Sequence, residues 1–470
     1  MSRYQQLAEH TTNLITQGVL RAGERLPSIR DACRAHGVSP ITVTQAYYQL
    51  ESRGLIEARP RSGYFVRARP ALQLAEPDMS QPPAGASELQ ISDFIFRILD
   101  SVKDRAVVPL GSSFPSPTLF PLAKLGRFLA HAARHLDPQA TISDLPPGNA
   151  ELRRQLALRY LARGAPVAPD EIVITSGALE GINLCLQAVT RPGDLIAVES
   201  PTFYAGLQAA ERLGLRVVEI PTHPRDGVSL KALADILQQH PVKACLLMLN
   251  FANPSGSLLP DARKKELLAL LRRHQVPLIE DDVYSELYFG PQAPLCSKAE
   301  DSDGLVMHIS SFAKCLAPGY RLGWVAAGRF AGQIQRQKLS TSLATTVPVQ
   351  IALADYLKHG GYDHRLRQLR RTLAEQEALL VAAVNRHFPP KTRLARPQGG
   401  YFLWLELPPT VDALTLHQQA LALGISTAPG PIFSAQRAFA HYLRLNFGHP
   451  DSPGLEAAVA TLGRLATALC

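Results

Sequence analysis

A change of pattern near residue 70 constrains this chain before any motif is consulted. Residues 69–90 carry Pro70, Pro77, Pro82 and Pro83 among Ala, Gly and Ser, with neither helical nor strand periodicity. Such a stretch reads as a semi-rigid tether able to hold the two flanking parts of the chain apart. Before it lie 69 residues dense in arginine; after it, residues 92–470 alternate apolar strand-length runs with helical patterns. At about 100–200 residues per domain, 470 residues suggest two to four domains and ample room for a buried core.

The charge divides at the same place. Residues 1–69 hold ten arginines, no lysine and five acids (Glu9, Glu24, Asp31, Glu51, Glu57), a balance of +5, whereas the other 401 residues contribute only +4 of the total +9. A small basic head on a nearly neutral body points to an anionic partner, and nucleic acid leads because Arg and Lys neutralise phosphates. No apolar run approaches the ~20 residues a membrane helix needs, and the start Met1-Ser2-Arg3-Tyr4-Gln5-Gln6 does not read as a signal peptide. Six scattered cysteines (Cys33, Cys185, Cys245, Cys296, Cys315, Cys470) lack metal-type pairing and fit free thiols in a reducing cytoplasm. The expectation is therefore a cytoplasmic protein with no metal site and no membrane partner.

In the head, Leu7, Leu14 and Ile15 give Tyr4–Gln17 helical periodicity, and Gly18 to Gly23 breaks it. Ser28 can cap a short helix with Asp31 three residues on, and Gly37 ends it. Ser39 caps the next helix, Pro40 suits its first turn, and Gly54 stops it after about Arg53. Two such helices form a helix-turn-helix, whose second helix can enter a major groove. Its exposed positions offer Thr42, Thr44, Gln45 and Tyr48; Ile41, Val43, Ala46, Tyr47 and Leu50 form the inward face, with Tyr47 and Tyr48 able to exchange roles. Leu55–Ala58 and Tyr64–Arg67 flank Arg59-Pro60-Arg61-Ser62-Gly63 as two strands of a basic-tipped wing.

In the body, strand candidates are Glu171–Thr175, Leu195–Glu199, Ala244–Leu249, Leu278–Glu280, Leu305–Ser310 and Leu322–Ala327, mostly separated by helical segments. That alternation calls for an α/β fold with a mainly parallel sheet, whose ligands bind beyond the carboxyl ends of the strands. Chemistry-bearing residues gather there: Thr175-Ser176-Gly177-Ala178, whose amides at a helix start suit a phosphate; Pro201-Thr202-Phe203; Asn253-Pro254-Ser255-Gly256; Glu280-Asp281-Asp282-Val283-Tyr284; Ser310-Ser311-Phe312-Ala313-Lys314; and Arg321 seven residues beyond the lysine. The run Arg365–Arg371, with four arginines, reads as a solvated helix face or a secondary DNA contact.

Two resemblances rest on these residues. The string Leu26-Pro27-Ser28-x-Arg30, Gly37-Val38-Ser39, Thr42-Val43, Ala46-Tyr47, Leu50-Glu51, Gly54-Leu55-Ile56 and Gly63-Tyr64-Phe65-Val66 resembles the winged helix-turn-helix of GntR-type bacterial regulators. The resemblance implies DNA contacts from Arg30, Ser39, Thr42 and Thr44, with Gln45 on the exposed face and the Gly63 wing tip near a minor groove. Many members carry Arg directly after the capping Ser, where this chain has Pro40, so base preference there does not carry over. From about Asp93 onward the ordered motifs resemble fold-type I pyridoxal-phosphate enzymes, the aminotransferase family.

That second resemblance implies pyridoxal 5'-phosphate as a Schiff base on Lys314. Asp281 pairs with the ring nitrogen, Tyr284 and Asn253 bond the ring oxygen, and Phe203 stacks on the ring. Ser176, Gly177, Ala178, Ser311 and Arg321 form the phosphate set, and Arg444 in His441-Tyr442-Leu443-Arg444-Leu445-Asn446-Phe447 takes a carboxylate. Gly399-Gly400-Tyr401-Phe402-Leu403-Trp404 matches the preceding small-domain strand. A tyrosine usual just before Pro147-Gly148 is missing from Ser143-Asp144-Leu145-Pro146, and Cys315 follows the lysine where a small hydroxyl residue is common.

Together the halves resemble MocR-type regulators, with a winged helix-turn-helix over 1–69, a linker over 70–91 and an aminotransferase-like pyridoxal-phosphate body over 92–470 in large and small subdomains. This implies a homodimer, each head packed on its partner's body. It also implies double-stranded operator DNA as partner, and an amine or amino acid effector. The same residues are compatible with a working aminotransferase carrying an accessory head; a body serving only as an unliganded scaffold is a third reading. Turnover at roughly 1 per second or more would mark the enzyme.

Overall fold

Ser28 and Ser39 begin the two helices that their spacing requires. The computed structural model describes residues 3–16, 19–21, 23–52, 55–59, 62–66, 74–83, 85–100, 107–450, 452 and 454–470. Three helices, α1 (Arg3–Thr16), α2 (Ile29–His36) and α3 (Pro40–Ser52), precede strands β1 (Ile56–Arg59) and β2 (Gly63–Val66). Ser28 Oγ accepts from Asp31 N at 3.2 Å and donates to its carboxylate at 2.6 Å. Gly37 ends α2 at φ 62°, a left-handed conformation that favours glycine. Ser39 Oγ accepts from Thr42 N at 3.2 Å, and Pro40 opens α3.

Val43, Ala46, Tyr47 and Leu50 of α3 pack on Leu7, Ala8, Leu26, Ala32, Ile56 and Val66 to make the head's own core. Tyr47 turns inward and donates to Pro27 O at 2.8 Å, which settles the choice between the two tyrosines; Tyr48 is exposed. Ile41 corrects the expectation. It is 71% exposed on the outer side of α3, because it stands two residues before Val43 and so about 200° around the helix. The wing pairs Ile56 with Val66 and Arg59 with Gly63. Residues 23–26 add a third extended piece, through Gly23 N to Val66 O and Leu26 N to Tyr64 O, both 2.8 Å. Gln17, Gly18, Arg53, Gly54, Pro60, Arg61 and Arg67, expected at helix ends and the wing tip, lie outside the described residues, as do residues 69–73 of the tether.

The described remainder of that stretch is no free tether. Ser80 N donates to Thr222 O at 3.1 Å, and Ser80 Oγ accepts from Thr222 N at 2.8 Å and donates to Ser200 O at 2.5 Å. Ser87 exchanges backbone hydrogen bonds with Val217, Asp78 pairs with Arg393, and Leu74, Leu89 and Ile91 are buried in the body. The prolines suppress regular structure, but backbone donors and apolar side chains still find partners on the sheet edge.

The body's large sheet has eight strands in the order β3-β10-β9-β8-β7-β4-β5-β6. They are β3 (Ile172–Thr175), β4 (Leu195–Ser200), β5 (Arg216–His223), β6 (Gly227–Val228), β7 (Val242–Leu247), β8 (Leu278–Asp281), β9 (Val306–Ser311) and β10 (Gly323–Ala326). β5, β4, β7, β8 and β9 are mutually parallel, whereas β10 runs antiparallel to β3 and β9. All six expected strands form; β5 and β6 were not anticipated. A smaller antiparallel sheet, β11-β12-β14-β13, comprises β11 (Arg393–Leu394), β12 (Phe402–Glu406), β13 (Ala428–Pro429) and β14 (Tyr442–Asn446). The helix Tyr362–His387 leads into it, burying Leu366, Leu369, Leu373, Leu380 and Val384 at helical spacing.

That helix also corrects the reading of Arg365–Arg371 as a solvated face. Arg365 donates to Leu119 O, and Arg370 donates to Glu286 O at 3.2 Å and stacks 4.1 Å from the Tyr288 ring centre. Arg367 and Arg371 remain exposed. Among the described residues, no helix is long and apolar enough to cross a membrane.

Candidate functional site

Parallel strands end together, so the residues following β3, β4, β7, β8 and β9 meet at one edge. β10 enters that edge from the other direction, which is how Arg321, just before its first residue Gly323, joins them. A cavity there is lined by Phe114, Ala178, Phe203, Met248, Asp281, Tyr284, Ser311, Lys314 and Arg321. It holds about 140 Å³, room for one aromatic ring, since a cavity of about 150 Å³ accepts benzene.

Asp281 closes β8 and is 3% exposed, and its Oδ1 has no hydrogen-bond partner. Burial pushes its carboxyl up to about 7, while the Lys314 amine opposes the shift. Burial likewise pulls the Lys314 amine down to about 7, against the attraction of Asp281 and with Arg444 and Arg321 repelling a second positive charge. A lysine is thus held ready to be neutral opposite an acid short of a partner. Tyr284, fully buried, receives a hydrogen bond from Asn253 Nδ2 at 3.5 Å, and Asn253 Oδ1 receives one from Arg444 Nη1 at 2.8 Å.

At the other end, Gly177 (φ 100°) starts the helix Ala178–Val189, and a Cβ on it would stand 2.8 Å from an Arg321 guanidinium nitrogen. Gly323 is equally required, for a Cβ there would meet the Gly177 carbonyl carbon and Ser310 O at 2.8 Å. Arg321 adopts φ 49°, an unusual backbone for an arginine, and its side chain is exposed. Ser311 Oγ donates to Leu322 O at 3.0 Å, bracing the turn between Lys314 and Arg321.

Ser176 is not brought into the cavity. Its amide donates to Glu180 Oε2 at 2.5 Å, and its hydroxyl lies 3.5 Å from Thr345 Oγ1, on the side where Glu180 pairs with Lys338 at 2.9 Å. Phe203 and Ala178 do line the cavity. Arg444, on β14 of the small sheet, is 1% exposed and flanked by Phe402 and Phe433 at 4.3 and 5.2 Å. Sequence reasoning missed Ser113 and Phe114, which touch Lys314. Local spacing held no signal for them, because they lie about 200 residues from it.

Behind β8, Asp282 points away from the cavity. Its oxygens are taken by Asn250 Nδ2 and His308 Nε2, both at 2.8 Å, and His308 Nδ1 meets Tyr160 OH at 2.7 Å. Glu280 joins Asp282 and His308 with ligand-type atoms within 4.8 Å of one another; Asp282 is engaged by Asn250 and His308, whereas both Glu280 oxygens are buried without a hydrogen-bond partner, and burial raises that carboxyl.

In the head, Arg30, Ser39, Thr44, Gln45 and Gly63 are exposed and Thr42 is half-buried. Ser39 and Thr42 pair their hydroxyls at 2.9 Å, and Thr44 Oγ1 donates to Pro40 O at 2.8 Å, so Arg30 and Gln45 keep the freest polar groups of the set. Exposed Ile41 and Tyr48, seven residues apart, add an apolar stripe beside them.

Residues 127–462 match the aminotransferase class I and II family, and residues 3–66 match the bacterial regulatory proteins of the gntR family. The chain is 47% identical to the uncharacterized HTH-type transcriptional regulator YdcR of Escherichia coli strain K12, over 99% of both chains. Among solved structures, the multiple substrate aminotransferase of Thermococcus profundus shares 26% identity at a TM-score of 0.75, over 81% of this chain and 96% of that one. LysN, the alpha-aminoadipate aminotransferase of Thermus thermophilus, was solved with N-(5'-phosphopyridoxyl)-L-leucine. It shares 28% identity at a TM-score of 0.72, over 81% and 99%.

Proposed function

The chain belongs to the GntR-type transcriptional regulators of MocR arrangement, a helix-turn-helix head fused to an aminotransferase-like body, and on that premise we propose that the body holds pyridoxal phosphate at Lys314 and makes operator binding by the head respond to an amine or amino acid. The observation that carries this is one cavity uniting a lysine lowered to about 7, a buried carboxyl with a free Oδ1, and an arginine whose guanidinium lies over the bare backbone of Gly177. These three features fit an aldehyde, a protonated ring nitrogen and a phosphate respectively. When bound, the cofactor supplies an aldehyde for amines and a ring that withdraws electrons.

The chain's own residues do the rest. Lys314, neutral above about pH 7, holds the aldehyde; Asp281, ionised by the positive nitrogen it faces, keeps a proton there. Phe203 covers one ring face, and Tyr284 with Asn253 holds the ring oxygen. The amides of Gly177 and Ala178 hold the phosphate with Arg321, and Ser311 joins them when its hydroxyl turns from Leu322 O. Ser176 contributes through its place in that turn, its own polar groups being engaged elsewhere. Arg444 takes a ligand carboxylate in surroundings that exclude water.

The reading includes the segments 1–69, 70–91 and 92–470 as head, linker and body, and a homodimer in the cytoplasm with each head on its partner's body. Exposed Leu179, Leu339 and Leu343 supply apolar surface for a partner to cover. Arg30, Ser39, Thr42, Thr44, Gln45 and Gly63 face the DNA. The effector acts by binding two arrangements of the dimer unequally. The complete cofactor set also supports a second reading, an aminotransferase with an accessory head. The test is the visible absorption of the purified protein with added pyridoxal phosphate. A band absent in Lys314→Ala, whose basal DNA affinity persists without a ligand response, sustains the proposal. A protein that stays colourless overturns it, and steady turnover with amino acid and keto acid at roughly 1 per second or more favours the enzyme.

A further inference from the structure

The loop Gly111–Phe114 stands out by what it touches. Arg444 Nη2 donates to Gly111 O at 2.6 Å, Ser112 O at 3.2 Å and Ser113 Oγ at 3.3 Å. Lys314 Nζ donates to Ser113 O at 2.8 Å and sits 3.9 Å from the Phe114 ring centre. Tyr401 OH donates to the same carbonyl at 3.1 Å, and Ser113 Oγ pairs with Tyr204 OH at 3.0 Å. One residue therefore serves both Lys314 and Arg444, its carbonyl taking the amine and its hydroxyl the guanidinium.

A guanidinium as buried as Arg444 needs acceptors, since a buried charge without them is costly. The loop supplies three neutral oxygens on Nη2, while Nε is buried without a partner, so a carboxylate taking Nε and Nη2 side by side meets the loop on one of its two nitrogens. We infer that Gly111–Ser113, with Ser113 at its tip, is a built-in occupant of the carboxylate position, which an incoming ligand must displace. This rests on the cofactor and effector reading above and adds what sets the effector's affinity. The guanidinium's bonds to the loop oxygens are already charge-assisted on the donor side; a carboxylate adds its own negative charge, so a ligand can win the exchange at a reduced net gain.

The displacement has consequences for the fold. The loop is rooted on the small-sheet side, where Asn446 Nδ2 donates to Ser112 O at 2.9 Å and to Phe114 O at 2.8 Å, and Gly111 N donates to Ser426 Oγ at 3.2 Å. Its tip reaches Tyr204 at the start of the helix that follows β4 of the large sheet, where Ser113 Oγ pairs with the hydroxyl at 3.0 Å, a contact that does not depend on a free Lys314 amine. Expelling the tip breaks a tie between the two sheets and so couples occupancy to their relative position.

Propanoate, which has a carboxylate and no amine, isolates this step. Its dissociation constant is measured by calorimetry on the full-length protein loaded with pyridoxal phosphate, with propylammonium as the control lacking a carboxylate. Ser113→Ala should tighten propanoate about threefold to tenfold, the span of one displaced hydrogen bond. Propylammonium should stay within about twofold. Ser113→Gly, which removes the hydroxyl by another substitution, should shift propanoate in the same direction. Weaker or unchanged propanoate binding in both variants overturns the inference, since a residue that helps hold the ligand, or merely supports the loop, gives no gain. An equal gain for propylammonium also overturns it, by showing a general loosening of the site. A protein that takes up no pyridoxal phosphate overturns the cofactor reading together with this one, whereas uptake without the propanoate gain overturns this one alone.

Discussion

Arg444 Nη1 donates to Asn253 Oδ1 over 2.8 Å, joining the small sheet to the loop after β7 across 191 positions of chain. Asn253 in turn donates to Tyr284, so a guanidinium that would hold a ligand carboxylate is wired to the hydroxyl that would hold the cofactor ring. Replacing Arg444 by Ala should leave the visible cofactor band in place while abolishing the spectral response to amino acids. A titration with L-alanine in both proteins checks this, and an undiminished response would remove Arg444 from the site.

The lowered Lys314 amine makes cofactor uptake dependent on pH. A neutral amine is the reactive form, and a group titrating near 7 is neutral above that value. Uptake of pyridoxal phosphate by the apo-protein should rise with pH through about 7, where the amine and the facing Asp281 carboxyl titrate as a pair, and level off above it. Stopped-flow absorbance from pH 5.5 to 9 reads this directly; a rate still climbing between pH 8 and 9 would mean an ordinary, solvated lysine.

Asp282 and His308 form a buried ion pair behind the cavity. His308 holds Asp282 below the usual carboxylate range, and Asp282 with Tyr160 beside it keeps His308 charged well above the usual imidazole value despite burial. The Asp282 contribution to stability is present above about pH 3.9 and lost as pH falls through its lowered value. The His308 contribution is complete below about 6.5 and lost as pH rises through its raised value. Asp282→Ala leaves a buried cation unpaired and should cost about 3–5 kcal/mol in denaturant unfolding.

The head has its own core, so its fold and its DNA contacts separate. Val43→Ala opens a hole beside Tyr47 and Leu50 and should destabilise the head by about 1–3 kcal/mol, read as earlier loss of DNA binding on heating. Arg30→Ala, at an exposed position, should weaken binding to all sequences alike. It should reduce the slope of log affinity against log salt by about one, the signature of a lost phosphate contact.

Because Ser80 and Ser87 are bonded to the sheet edge, their amides should exchange with deuterium far more slowly than those of a free linker. Amide exchange read by mass spectrometry over residues 75–91 tests this, and exchange at the rate of an unstructured peptide would refute the docking.

Local signals were enough for much of this protein. Ser28, Gly37, Ser39 and Pro40 mark their helix ends because capping is decided within a few residues. The six apolar runs became strands because burial on both faces writes itself into consecutive side chains. The motif residues Asp281, Lys314 and Arg321 converge because the strand ends of one sheet share an edge, and the sequence order already placed them there. What the sequence could not carry was anything set by partners far along the chain. Tyr47 rather than Tyr48 turns inward because the angle of α3 on the head core decides which side is covered. Ser80 docks because Thr222 offers an unpaired backbone. Arg365 and Arg370 turn inward to carbonyls on other elements. Ser113 meets Lys314 and Arg444 because two sheets close on one loop. Hydrogen bonds and burial at such separations are choices of the tertiary fold, made where the assembled surface supplies the partner.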